Sequence, residues 1–297
     1  MPLLGPAVLA IVLGIAVSLV RRPGARAAPG LAFASSVLLQ VAIVLLGTTL
    51  ALGRILHVGA RSLPVMLGTL AFALAGAAVL GRLLAVSPRL RALVGVGTGI
   101  CGASAIATIA PILRATETEV AYAISTIFVF NVVAVVLFPA LGRVLHLSQH
   151  GFGLWAGTAI NDTSSVVAAA YAYGDPAGAQ AVVVKLTRTT LIIPIAVVLA
   201  AVRARPPGAP RRLVPWFLVG FVVASAANTG GLVGADARHL LAHAARALIV
   251  VALAGVGLGA DLPRMRRTGP RPLVLGALLW CGVAGVSLLL QAATSQL

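Results

Sequence analysis

Long apolar runs separated by short polar gaps dominate the chain. Ten stretches reach about 20 mostly apolar residues, the length a helix needs to cross a bilayer. They lie at 3–20, 31–53, 63–81, 92–113, 120–142, 153–174, 177–202, 213–233, 240–260 and 272–291. The pattern predicts an all-α membrane protein of about ten transmembrane helices, one polytopic domain over 1–297 with its motif-bearing core at about 92–202. The first stretch is too long for the apolar core of a signal peptide, and Arg21 and Arg22 follow it instead of preceding it. It therefore reads as an uncleaved helix. The gaps are too short to hold an extramembrane domain, so the expected activity lies inside the membrane.

Composition sharpens this picture. Apolar residues make up 60% of the chain and charged residues 9%, against about a quarter charged in a soluble domain. Lys plus Arg number 22 against 6 acids, a net charge of +16. In a soluble protein that excess would suggest nucleic acid. Here no basic stripe is interleaved with aromatics, and the arginines sit in the gaps, as the positive-inside rule produces. Arg21, Arg22 and Arg26 follow segment one; Arg82, Arg89 and Arg91 follow segment three. Arg203, Arg205, Arg211 and Arg212 follow segment seven, and Arg264, Arg266, Arg267 and Arg271 follow segment nine. If every segment crosses once, these gaps share the cytoplasmic side, and both termini lie outside it. Arg143 and His146 would then also be cytoplasmic, which favours full crossing of segments four and six over re-entrant hairpins. Cys101 and Cys281 have no paired spacing, and the five histidines form no ligand motif. No metal or cofactor is expected.

Segments four and six stand apart from the plain Leu/Val/Ala runs. Segment four reads GVGTGICGASAIATIAP from Gly95, and segment six reads GLWAGTAINDTSSVVAAAY from Gly153. A shift of 60 residues aligns Gly97 with Gly157, Thr98 with Thr158, Ile100 with Ile160 and Ser104 with Ser164. This register suggests an internal repeat of the kind secondary transporters build around broken helices. Full crossing would make the repeat parallel, and re-entrant hairpins would make it inverted. Gly97, Gly99, Gly102 and Gly157 are the candidate breakers, since unwound backbone at membrane depth is tolerated where it lines a cavity. Close helix packing is the competing use of such small residues. The GxGxxG formed by Gly97, Gly99 and Gly102 lacks the strand and soluble βαβ unit of a dinucleotide site.

Three charges fall inside apolar segments: Asp162 in six, and Lys185 and Arg188 in seven. Charges at membrane depth are costly and mark functional sites by default. With segments six and seven antiparallel, the helical rise puts Asp162 about 18 Å and Arg188 about 16 Å from the same end, within reach of each other. Lys185 is then a surplus positive charge, which suggests an anionic substrate. Thr98, Ser104, Thr158, Thr163, Ser164 and Ser165 would supply hydroxyls, and Lys185 and Arg188 charged donors. A dianion between two cations is neutral only when Asp162 takes up a proton, which assigns ion coupling to Asp162 and its neighbour Asn161.

The stretches GTGICGASAIATIAP, EVAYAIST, GLWAGTAINDTSSV and VVKLTRT, with PWFLVGF at 215–221 and ALAGVGLGADL at 252–262, resemble the sulfate-exporter family of bacterial membrane proteins, the YeiH type. The resemblance runs over nearly the whole chain. It implies kinship with the cation/proton antiporter and bile-acid-transporter superfamilies and a two-bundle fold with broken helices crossing at mid-membrane. It departs in two places: the family has His before the Asp where this chain has Asn161, and typical members begin with a further hydrophobic helix. The expected function is a secondary transporter of a small sulfate- or sulfite-like oxyanion in the bacterial inner membrane. Export fits an inside-negative potential, worth about 2.3 kcal/mol per charge at 100 mV. The expected partners are the anion and the lipid bilayer, with H+ or Na+ coupling and a homodimer left open. The alternative is a cation/proton antiporter using Asn161 and Asp162. An enzyme built on Cys101 or a serine is not expected, because no base accompanies either.

Overall fold

The computed structural model describes residues 6–20, 24, 26–202, 215–259 and 269–297. The expectations resting on Arg21, Arg22, Arg203, Arg205, Arg211, Arg212, Arg264, Arg266 and Arg267 lie outside the described residues. All regular elements among the described residues are helices. They are α1 (Pro6–Val20), α2 (Ala28–Gly47, with a π-turn at Ala34–Leu38), α3 (Leu52–Leu83), α4 (Pro88–Gly99), α5 (Ala103–Leu113), α6 (Glu117–Val144) and α7 (Gln149–Ala159). There follow α8 (Thr163–Tyr173), α9 (Asp175–Thr190), α10 (Ile192–Val202), α11 (Trp216–Thr229), α12 (Ala235–Leu258) and α13 (Pro270–Ala293).

Six helical stretches among the described residues are long and apolar enough to cross a membrane: α2, α3, α6, the Asp175–Ala196 stretch of α9 and α10, α12 and α13. That is four fewer than the ten predicted: segments one and eight are described as α1 and α11, of 15 and 14 residues, and the other two missing spans are segments four and six. Each is a pair of half-length helices, α4–α5 and α7–α8, interrupted at residues 100–102 and 160–162. Polar caps mark where these arms begin. Ser87 accepts from the Leu90 amide at the start of α4, and Ser148 from the Gly151 amide at the start of α7. α6 starts with a capping box between Thr116 and Glu119.

Both pairs fold back on themselves. In α7–α8 the first residue meets the last turn: Gln149 donates to the Tyr173 carbonyl at 3.5 Å. One turn further in, Phe152 stacks on Tyr173 with ring centroids 3.8 Å apart. In α4–α5, Gly97 packs on Ile106 across the bend, and Ser87 before α4 donates to Glu119 after α5 at 2.8 Å. The expectation of full crossing is therefore wrong for both segments, because chain hydropathy does not distinguish one long helix from two short ones that turn back. The two hairpins enter from opposite ends of the molecule. α6 starts beside the mouth of the first, where Glu119 meets Ser87, and ends beside the mouth of the second, where Gly142 packs on Phe152 and Tyr173. Arms of 11 or 12 residues rise about 17 Å, half of a bilayer, so the tips meet midway: Gly102 lies against the backbone of Asn161. α5 and α8 begin and end 60 residues apart, matching the register read from the sequence.

The helices gather in two groups. In one, α12 packs against α1 through Gly14 and Gly257 and against α2 through Gly255, while α11 packs on α2 through Gly47 and Gly220. The other holds both hairpins with α3, α6, α9 and α13. Here α13 runs antiparallel to α3, with Leu279 on Gly76 and Leu290 on Gly68. The groups meet where α8 touches α1 and α12.

Candidate functional site

The hairpin bends expose what a continuous helix would have paired. α4 and α7 end at the centre of the molecule with carbonyls that lack intrahelical partners. α9 lies beside α7 and runs parallel to it, because Gly153 fits against Ala177 and Gln180, and Gly157 against Ala181 and Val184. Lys185 and Arg188 are thereby carried to the tips, and both are fully buried. Lys185 Nζ donates to the Ile100 and the Ile160 carbonyl, each at 2.9 Å. Arg188 Nη1 donates to the Thr158 carbonyl, and Nη2 to the Thr98 carbonyl at 3.4 Å. One helix face thus clasps equivalent carbonyls of both hairpins. Each helix C-terminus carries about half a negative charge, so two full cations more than offset the two ends.

Asp162 does something different. The predicted Asp162–Arg188 pair is not formed; the ion pair recorded among the described residues is Arg246 with Asp175, at 2.9 Å. α7 and α9 are parallel instead of antiparallel, which sends Arg188 past the acid to the carbonyls behind it. Asp162 is the N-cap of α8. Its Oδ2 accepts from the Ser164 and Ser165 amides at 3.1 and 3.4 Å and from the Ser164 hydroxyl. Its own amide donates to Asn131 Oδ1 on α6 at 3.3 Å. Asp162, Asn131 and Ser164 line a cavity of about 660 Å³ between the two helix groups, with Ile127, Phe128 and Ala103 beside them and Ser18 and Ser35 opposite. Asp162 is the one charged side chain among the described residues that line it.

The candidate hydroxyls divide. Thr158 Oγ1 bonds within α7 and to Ser287 on α13 at 2.7 Å, away from the cavity. Ser104 donates to the Cys101 carbonyl and sulfur at 3.0 and 2.9 Å, and Ser164 serves Asp162. Thr163 opens α8, partly exposed, and Ser165 is buried behind it. Thr98 Oγ1, both amide atoms of Asn161 and Arg188 Nε are buried at the crossing without a hydrogen bond inside the protein. Of the glycines, Gly97, Gly99 and Gly157 allow close packing on Ile106, Leu70 and Val184. Gly102 is needed for its backbone, with φ +67° and ψ −129°, a region that side chains avoid. Sequence reasoning missed Asn131, although a lone amide in the apolar run 120–142 was a visible signal. It also missed that backbone carbonyls are the partners of Lys185 and Arg188.

Residues 1–276 match the family described as Conserved hypothetical protein 698. This chain belongs to that family. A UPF0324 membrane protein of Clostridium tetani is 36% identical over 313 residues, covering 99% of this chain and 91% of that protein. One from Streptococcus pyogenes serotype M6 is 40% identical over 305 residues, covering 98% and 90%. Another, from Fusobacterium nucleatum, is 36% identical over 315 residues. No solved structure matches the chain. Membrane-protein relatives and six apolar spans together make this member of the Conserved hypothetical protein 698 family a multi-pass helical membrane protein.

Proposed function

We propose that the protein is a secondary transporter whose substrate site is the meeting point of the two hairpin tips, and that the substrate is a small oxyanion of the sulfate or sulfite class. One observation carries the reading: two fully buried cations, Lys185 and Arg188, stand at the tips against a single carboxylate, Asp162. The two cations exceed the two helix C-termini by about one charge, and the N-termini of α5 and α8 offset Asp162. The crossing so keeps about one positive charge at membrane depth, which an anion neutralises. When a dianion binds, a proton on Asp162 restores the balance, giving H+ coupling.

The 60-residue register and the opposed hairpins support an inverted repeat, with hairpin-plus-helix units α4–α6 and α7–α10. The cavity between two helix groups supports alternating access by movement of one group against the other. Arg82, Arg89, Arg91 and Arg114 lie at the mouth of the first hairpin, so by the positive-inside rule that end faces the cytoplasm of a bacterial inner membrane. The outward direction, the absence of enzymatic activity and a possible homodimer belong to the same proposal.

One feature favours a second reading. Asp162 is the only charge among the described residues that line the cavity, as a cation/proton antiporter using Asn161 and Asp162 would have it. Flux into proteoliposomes separates the two. Sulfate, sulfite and organosulfonates are compared with and without a Na+ or pH gradient. The anion reading predicts oxyanion flux that needs no Na+ gradient. Proton-driven Na+ movement without oxyanion flux would replace it with the second reading.

A further inference from the structure

A second basic pocket lies at the far end of the molecule, at the mouth of the second hairpin. It encloses about 480 Å³ and is lined by Arg54, His57 and Arg61 of α3, Ser148 and His150 at the start of α7, and Gln180 of α9. Positions 54, 57 and 61 recur at three and four residues, so one face of α3 presents all three side chains. Ser295, Gln296 and Leu297 after α13 close the pocket wall, with the Leu297 main chain against Gly151, and no Asp or Glu side chain lines it among the described residues. Two other arginines at this end are engaged: Arg246 pairs with Asp175, and Arg143 donates to the Ala172 carbonyl and lies over the Tyr173 ring. Arg54 and Arg61 have no ion pair or side-chain hydrogen bond recorded among the described residues. The positive-inside rule does not account for them, because Arg82, Arg89, Arg91 and Arg114 mark the opposite end as the cytoplasmic one in the orientation proposed above.

We propose that this pocket is a second anion site, separate from the crossing, that takes a small divalent oxyanion at the outer face. Two guanidinium groups supply charged forks matched to planar pairs of oxyanion oxygens, and His57, His150 and the Ser148 hydroxyl complete the polar wall. α7 leads from this pocket to the tip at Ile160, about 16 Å away along its axis. The site therefore captures the same solute class where the second hairpin opens. Its role in transport rests on the function proposed above; its binding of anion does not.

The test is calorimetric titration of the detergent-purified full chain with sodium sulfate, with sodium gluconate as the ionic-strength control. The double variant R54Q/R61Q is compared with R238Q, which alters an arginine of α12 outside the pocket, and with K185M at the crossing. Arg54, Arg61 and Arg238 are exposed and Lys185 is buried, so thermal melts of R54Q/R61Q and R238Q should match the parent. Loss of two charge-assisted contacts should weaken one class of sulfate site at least about tenfold in R54Q/R61Q. R238Q should leave it unchanged, and K185M, where it folds, should retain it. Equal affinity in R54Q/R61Q and the parent would overturn the proposal. So would equal weakening in R238Q, which would mark general surface screening. Loss of oxyanion flux with sulfate binding intact would count against the transport reading and leave this site standing.

Discussion

The two hairpins share a plan and differ at one turn. Their arms match in length, their tips meet, and the same helix face binds Thr98 and Ile100 in one, Thr158 and Ile160 in the other. After those carbonyls the chains diverge. The second hairpin enters its return helix through Asp162, at φ −99° and ψ 146°, with a carboxylate capping α8. The first enters through Gly102, at φ 67° and ψ −129°, with no side-chain cap on α5. A cap satisfies amides that would otherwise lie bare and places a negative charge on the positive end of the helix. α8 is therefore closed by the protein's own anion, while the start of α5, at Ala103, lies open beside the cavity. The shared parts hold the tips together; the unshared turn is where charge can change.

Removing what the hairpins share should have the largest effect. Lys185→Met keeps the length of the side chain and leaves two buried carbonyls without their donor. At about 1–3 kcal/mol for each orphaned group, the variant should melt well below the parent and carry no oxyanion. A melt equal to the parent's would mean that Lys185 does not hold the tips. Altering the first turn alone should cost less. Gly102→Ala forces a side chain into positive φ, for about 1–3 kcal/mol, and chemical denaturation should register that loss, together with slower flux. Asp162 sits in extended backbone, so a substitution there carries no such strain. The smallest effect should come from the contact that ties the second hairpin to α13. Ser287→Ala removes the Thr158–Ser287 hydrogen bond and should cost about 1 kcal/mol without altering substrate preference.

Much of this was legible in the chain. The apolar runs located the helices, the Gly/Thr/Ser-rich segments located both bends, and the 60-residue shift aligned Thr98 with Thr158 and Ile100 with Ile160, whose carbonyls Arg188 and Lys185 bind. Lys185 and Arg188, singled out as charges inside an apolar run, are buried together at the tips, while Asp162 caps the next helix at the cavity. Their partners were not legible. A hydropathy run is blind to a reversal of direction, so segments four and six read as spans. With that went the antiparallel geometry that paired Arg188 with Asp162. The real partners of Lys185 and Arg188 are main-chain carbonyls, which every residue carries and no motif marks. Asn131 was legible in principle, as the lone amide of its run, but nothing in the one-dimensional pattern places it under Asp162.

The central claim is that an anion and a proton are balanced against each other at the tips, with Asp162 taking the proton. Asp162→Asn tests it most directly, because Asn caps a helix as well as Asp and the change removes charge while keeping α8 capped. The measurement is sulfite or sulfate flux in proteoliposomes as a function of pH, wild type against D162N. The account predicts flux in both and a pH dependence in the wild type that is flat in the variant. A variant whose flux follows pH as the wild type does would contradict it.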